Sequence, residues 1–131
     1  MEIVDNGRSK SASELFFQFR TSSTENVKLI EIFSEKTQIS RLKLVGQNSL
    51  VFEWLSFGDY KSVMVTANYS LSRGLWHSVI LERNFVEVML VLDTMFVASA
   101  PETDYRDVLN ISLVFQGGQV RVLISGMSGG K

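Results

Sequence analysis

The chain has 131 residues, enough for one domain of ordinary size with its own core. With 13 Lys and Arg against 14 Asp and Glu the net charge is −1, which gives no long-range field for nucleic acid or an anionic membrane surface. There is no cysteine, which excludes a disulfide framework, a cysteine zinc site and a cysteine nucleophile, and no apolar run reaches the roughly 18–20 residues of a spanning helix.

Taken in chain order, the segment from Met1 to Gly7 has neither the basic start nor the apolar stretch of a signal peptide. The chain is therefore expected to be cytosolic or a piece of a longer secreted protein. Leu15–Arg20 reads as a Phe-rich strand, Thr21–Asn26 as a polar turn, and Val27–Phe33 as a second strand. Ser34–Ser40 is polar and expected to be a loop. Arg41–Gly46 alternates apolar and polar at period two, Gln47–Ser49 turns, and Leu50–Trp54 follows as its hairpin mate. Phe57–Tyr60 reads as a turn before a strand at Lys61–Thr66. After Asn68–Gly74 come runs at Trp76–Arg83, Val86–Asp93 and Thr94–Ser99. Pro101–Asp107 is an acidic loop, Leu109–Phe115 and Val120–Ile124 are the last strands, and Ser125–Lys131 reads as a tail or linker. Roughly ten short strands with no helical periodicity predict an all-β, antiparallel sandwich or barrel, with residues 1–131 as one domain whose core spans about 14–126.

Chemistry is sparse. The single imidazole is His77, and neighbouring strand residues face opposite ways. With Trp76 in the core, His77 is expected outside, without a catalytic or metal role. Glu31, Glu53 and Glu87 fall on strands and are expected to be solvated rather than paired as acid and base. No phosphate-binding loop occurs. No enzyme is expected. Glu102, Asp104 and Asp107 put three acids in six residues, a set of oxygen donors for calcium or simply a solvated loop. Trp54, Phe57 and Tyr60 cluster near one turn and could stack on a sugar, unless Trp54 is core; Asp59 lies in the same turn. Asn68-Tyr69-Ser70 and Asn110-Ile111-Ser112 are sequons, so Asn68 and Asn110 are candidate glycosylation sites of a secreted glycoprotein.

The run Leu71-Ser72-Arg73-Gly74-Leu75-Trp76-His77-Ser78-Val79-Ile80-Leu81-Glu82-Arg83-Asn84 resembles the signature of laminin G-like domains. Val86–Asp93 is similar to the family strand that ends in Asp. Leu15–Thr21 resembles its strand closing in Phe-Arg-Thr, and Leu113–Gly118 its late strand capped by Gly-Gly. The resemblance implies a jelly-roll-like, concanavalin-like sandwich with Trp76 buried at a strand start. It further implies an extracellular, non-catalytic module of a cell-adhesion or matrix protein, or the ectodomain of a membrane protein. Such a module binds protein or glycan at the cell surface through rim loops. Candidate loops are Thr21–Asn26, Ser34–Ser40, Ser56–Tyr60 and Pro101–Asp107; candidate contacts are Trp54, Phe57, Asp59, Tyr60, Glu102 and Asp104. A lectin-like domain and a structural domain that pairs with a copy of itself through a sheet edge are the alternatives. Neither nucleic acid nor direct membrane insertion is expected.

The sequence departs from the family pattern in two places. Gln119 stands where many members have a Cys, and Ile39-Ser40-Arg41 where many have a calcium-binding Asp. A second family ligand falls near Asn110. With Asn110, Asp104 and Asp107 as the only candidates, no cofactor is expected and calcium binding is expected to be weak.

Overall fold

The computed structural model describes residues 2–4, 14–34, 37–83, 86–102 and 120–124. Among them are ten strands: β1 (Glu2–Val4), β2 (Glu14–Arg20), β3 (Val27–Ser34), β4 (Thr37–Val45), β5 (Ser49–Ser56), β6 (Asp59–Thr66), β7 (His77–Arg83), β8 (Glu87–Leu92), β9 (Phe96–Pro101) and β10 (Val120–Ile124). They form two antiparallel sheets of five, ordered β1-β2-β7-β8-β9 and β10-β3-β4-β5-β6. The all-β sandwich expected from the sequence is the fold observed.

Strict alternation explains the two layers. Along β2 and β5 every second side chain is buried. Leu15, Phe17 and Phe19 of one sheet thus face Leu50, Phe52 and Trp54 of the other within one apolar cluster. Val79 and Leu81 of β7, Val88, Leu90 and Leu92 of β8, Leu42 and Leu44 of β4, and residues of β3 and β6 belong to the same cluster. Each such side chain removed from water contributes about 1.5–3 kcal/mol before the entropy of ordering is subtracted.

Some boundaries differ from the sequence reading. The expected loop at Ser34–Ser40 is mostly strand, because β3 runs to Ser34 and β4 begins at Thr37, paired through Ser34↔Thr37 and Phe33↔Gln38. The backbone ladder overrides the polar composition there. β1 was not anticipated: its three residues pair with the end of β2 through Glu2↔Arg20. Leu109–Phe115, the tail Ser125–Lys131, and Asp104, Asp107 and Asn110 lie outside the described residues.

Strand directions sort the connections to two ends. The β2–β3 loop (21–26), the β4–β5 turn (46–48), the β6–β7 connection (67–76) and the β8–β9 turn (93–95) share one end, here the loop end. Backbone bonds tie it together: Ala67 donates to Asn48 at 2.8 Å and Gly74 to Thr21 at 2.9 Å. Gly74, at φ +76, takes the left-handed turn that delivers the chain into β7. The β5–β6 hairpin and the end of β9 lie at the opposite end.

Candidate functional site

The β5–β6 hairpin turns through two residues, Phe57 at φ 48 and Gly58 at φ 87. Positive φ at both central positions defines a type I′ turn, whose twist matches that of the strands it joins. Gly takes that region freely; a bulky aromatic does so only under strain. Phe57 is nonetheless 65 % exposed, so little of its ring packs inside the fold. Asp59 beside it is exposed, and Tyr60 is 47 % exposed.

The hairpin is held from below. Glu102, which follows β9, is fully buried and accepts from Trp54 Nε1 at 2.8 Å, Ser56 Oγ at 3.0 Å and Lys61 Nζ at 2.9 Å. Its own amide donates to the Val86 carbonyl at 2.9 Å. One carboxylate from the first sheet thereby clamps both strands of a hairpin in the second. Burial pushes the Glu102 carboxyl up, but the bonds from Lys61, Ser56 and Trp54 together with the Lys61 charge outweigh it and hold the group below the usual carboxylate range.

The outer face beside the tip carries a second polar group. Arg41 Nε donates to Glu53 Oε1 at 2.7 Å, and Lys43 Nζ approaches the same oxygen at 2.9 Å. The Arg41 guanidinium lies 5.1 Å from the centre of the Tyr60 ring. The bond from Arg41 holds the Glu53 carboxyl below its ordinary range against some desolvation. The tip thus presents Phe57, Asp59 and Tyr60, with a cation stacked behind one ring.

Three expectations for this region require correction or sharpening. Trp54 is fully buried, stacked on Phe52 at 5.7 Å between ring centres. Its indole N–H is used inside the fold, so it offers no surface to a sugar. Glu102 is likewise an internal clamp rather than a contact residue. Ser40, in the expected contact loop Ser34–Ser40, is buried, and its hydroxyl has no hydrogen-bond partner among the described residues. Phe57, Asp59 and Tyr60 are exposed at the same turn. Ser56 and Lys61 were missed as clamp residues. Ser56 shares the inward phase of Trp54, and that signal was legible; the Lys61 contact depends on the fold.

The pair Trp76 and His77 is inverted relative to expectation. Trp76 precedes β7 and is 41 % exposed, with the Arg20 guanidinium 4.8 Å from its ring. His77 opens β7 and is buried between Phe19 and Tyr69, in phase with Val79 and Leu81. Its Nδ1 lies 2.7 Å from Asp93 Oδ2, and since a carboxylate only accepts, Nδ1 carries the proton. Tyr69 donates to the same oxygen at 2.6 Å and the Ser78 amide to Oδ1 at 2.8 Å. Burial, followed by the bond to Asp93, pushes the Tyr69 hydroxyl up to about 12. The cluster ties Tyr69, His77 and the start of β7 to Asp93 at the loop end. Among the described residues no group of three or more His, Cys, Asp or Glu is placed to hold a metal.

No protein-family model matches the chain. It is similar to neurexin-4 of Drosophila melanogaster, 31 % identical over 91 residues, which are 70 % of this chain and 7 % of that protein. The chain thus spans a small fraction of that relative's length. Among solved structures, domains LG4-5 of the mouse laminin alpha1 chain superpose at TM-score 0.58 with 19 % identity, over 72 % of this chain and 27 % of that one. A Bacteroides ovatus GH16 protein in complex with a glucan product aligns at TM-score 0.44 and 7 % identity, over 92 % of this chain and 73 % of its own, too distant to inform the site. The sequence match, the shared two-sheet architecture and the segment running from Arg73 through His77 to Asp93 identify this chain as a laminin G-like domain.

Proposed function

We propose that this domain is a non-catalytic, extracellular adhesion-type module that binds a protein ligand at the cell surface or matrix through the tip of the β5–β6 hairpin. The observation that carries the reading is Phe57, a large aromatic at left-handed φ, mostly exposed, above a buried clamp. Backbone strain of this kind costs about 1–3 kcal/mol and persists where the surroundings impose it. A rigid, exposed aromatic loses little side-chain entropy on binding, which suits it to anchor an interface. Tyr60, backed by Arg41, adds a second aromatic ring, one with a polar hydroxyl.

An array of cell-surface and matrix ectodomains probed with the tetramerised domain tests this reading. A ligand whose capture falls about tenfold or more on Phe57→Ala and Tyr60→Ala, but not on Arg73→Ala at the loop end, supports it. Capture insensitive to both tip substitutions refutes the hairpin as the contact. A glycan array that responds to the wild type and is silent for Tyr60→Ala would move the assignment to carbohydrate, with Phe57 and Tyr60 as the stacking residues in place of the buried Trp54.

A further inference from the structure

We infer that Asn68 carries an N-linked glycan, seated at the loop end away from the hairpin. The inference rests on the extracellular reading above, since transfer occurs in the secretory pathway. The sequon Asn68-Tyr69-Ser70 lies in the β6–β7 connection, just beyond the end of β6. Tyr69 turns inward, donating to Asp93 and stacked on His77. Its neighbour Asn68 is exposed and makes no side-chain hydrogen bond among the described residues. Substituting the Asn68 amide therefore removes no interaction from the fold and places the sugar in solvent. Ser70 bears on timing. In the folded domain its hydroxyl accepts the Ser72 amide at 3.1 Å, whereas the transferase must read that hydroxyl. Transfer therefore precedes closure of this loop, and the loop then folds around a modified asparagine that has no internal partner to lose.

In the transfer, Asn68 Nδ2 forms a bond to the anomeric carbon of an oligosaccharide held on a lipid diphosphate. The carbon–oxygen bond to the diphosphate breaks, the electron pair leaves with the lipid diphosphate, and one amide proton is released. Position follows from topology. β6 runs from Asp59 to Thr66, and at roughly 3.4 Å per residue its length separates Asn68 from the hairpin tip by more than 20 Å. The glycan shields the end that exposes Leu75, Trp76 and Met95 and leaves Phe57 and Tyr60 open.

The test is secretion from an insect or mammalian line behind a heterologous signal peptide. Enzymatic deglycosylation in heavy-oxygen water and peptide mass spectrometry then follow, on the wild type, Asn68→Gln and Asn110→Gln. The expected result is a heavy-oxygen Asp at position 68 in the wild type and in Asn110→Gln, and wild-type secretion of Asn68→Gln. A secreted wild type with Asn68 unmodified overturns the inference and leaves the adhesion reading standing. A wild type retained and degraded in the secretory pathway while folded in the cytosol overturns both. Any ligand captured through the hairpin is expected to bind Asn68→Gln unchanged, and loss of that capture would overturn the placement of the glycan.

Discussion

Phe57→Asn separates strain from packing at the hairpin tip. Phe57 stands first of two positive-φ residues before Gly58. Asn tolerates this region, and Asn followed by Gly is the favoured pair for a type I′ turn. Relief of left-handed strain contributes about 1–2 kcal/mol. Against this stands the apolar contact of the roughly one third of Phe57 that is covered, about 0.5–1 kcal/mol on a full-burial value of 1.5–3. The net expectation is stabilisation by about 0.5–1 kcal/mol, a rise of roughly 2–6 °C in melting temperature for a domain of this size. Phe57→Ala loses the same contact, keeps most of the strain, and is expected to destabilise by about 0.5–1 kcal/mol. Urea unfolding with an unchanged m-value reads both effects as shifts in midpoint. If Phe57→Asn instead destabilises by more than about 1 kcal/mol, the ring serves the fold and the argument that the tip is strained for binding fails.

Other substitutions probe the buried groups. Glu102→Ala leaves the buried Trp54 N–H and Ser56 hydroxyl without their acceptor and is expected to cost about 3 kcal/mol, read by urea midpoint. Because the fold holds the Glu102 carboxyl below its ordinary value, the unfolded chain binds the extra proton. Stability is therefore present above about pH 4 and lost as pH falls through the folded value, and Glu102→Gln is expected to flatten that acid limb. At the alkaline side the sign reverses. Tyr69 titrates near 12 when folded and near 10 when unfolded, so its contribution is complete below pH 10 and disappears as pH rises towards 12; a Tyr69→Phe variant without this alkaline slope would bear that out. Iodide is expected to quench Trp76 and spare Trp54, and Trp76→Ala is expected to change stability by less than about 1 kcal/mol; a larger loss would mean that Trp76 is core after all.

Local pattern carried the fold. The alternation in Arg41–Gly46 and Leu50–Trp54 and the close spacing of β runs were sufficient for an antiparallel sandwich, because a sheet with one buried face imposes period two on its own sequence. The same rule carried the answer for His77, which shares its phase with Val79 and Leu81; reading Trp76 as the buried residue put the phase off by one. The pairing Phe19↔His77 and the acceptor Asp93, 16 residues away in sequence, fixed which residue entered. Phe57, Asp59 and Tyr60 were legible as a cluster because a hairpin keeps its turn residues together.

By itself, then, the sequence determined the secondary-structure class, the likeness to laminin G-like domains and the absence of cysteine chemistry. All three depend on residue types and on spacings within a strand or a turn. Only the tertiary structure decided that Trp54 and Glu102 lie inside as partners and that Asn68 and the hairpin tip stand at opposite ends. Those facts depend on how the two sheets face each other, and a carboxylate 48 residues beyond an indole meets it only once both sheets have packed.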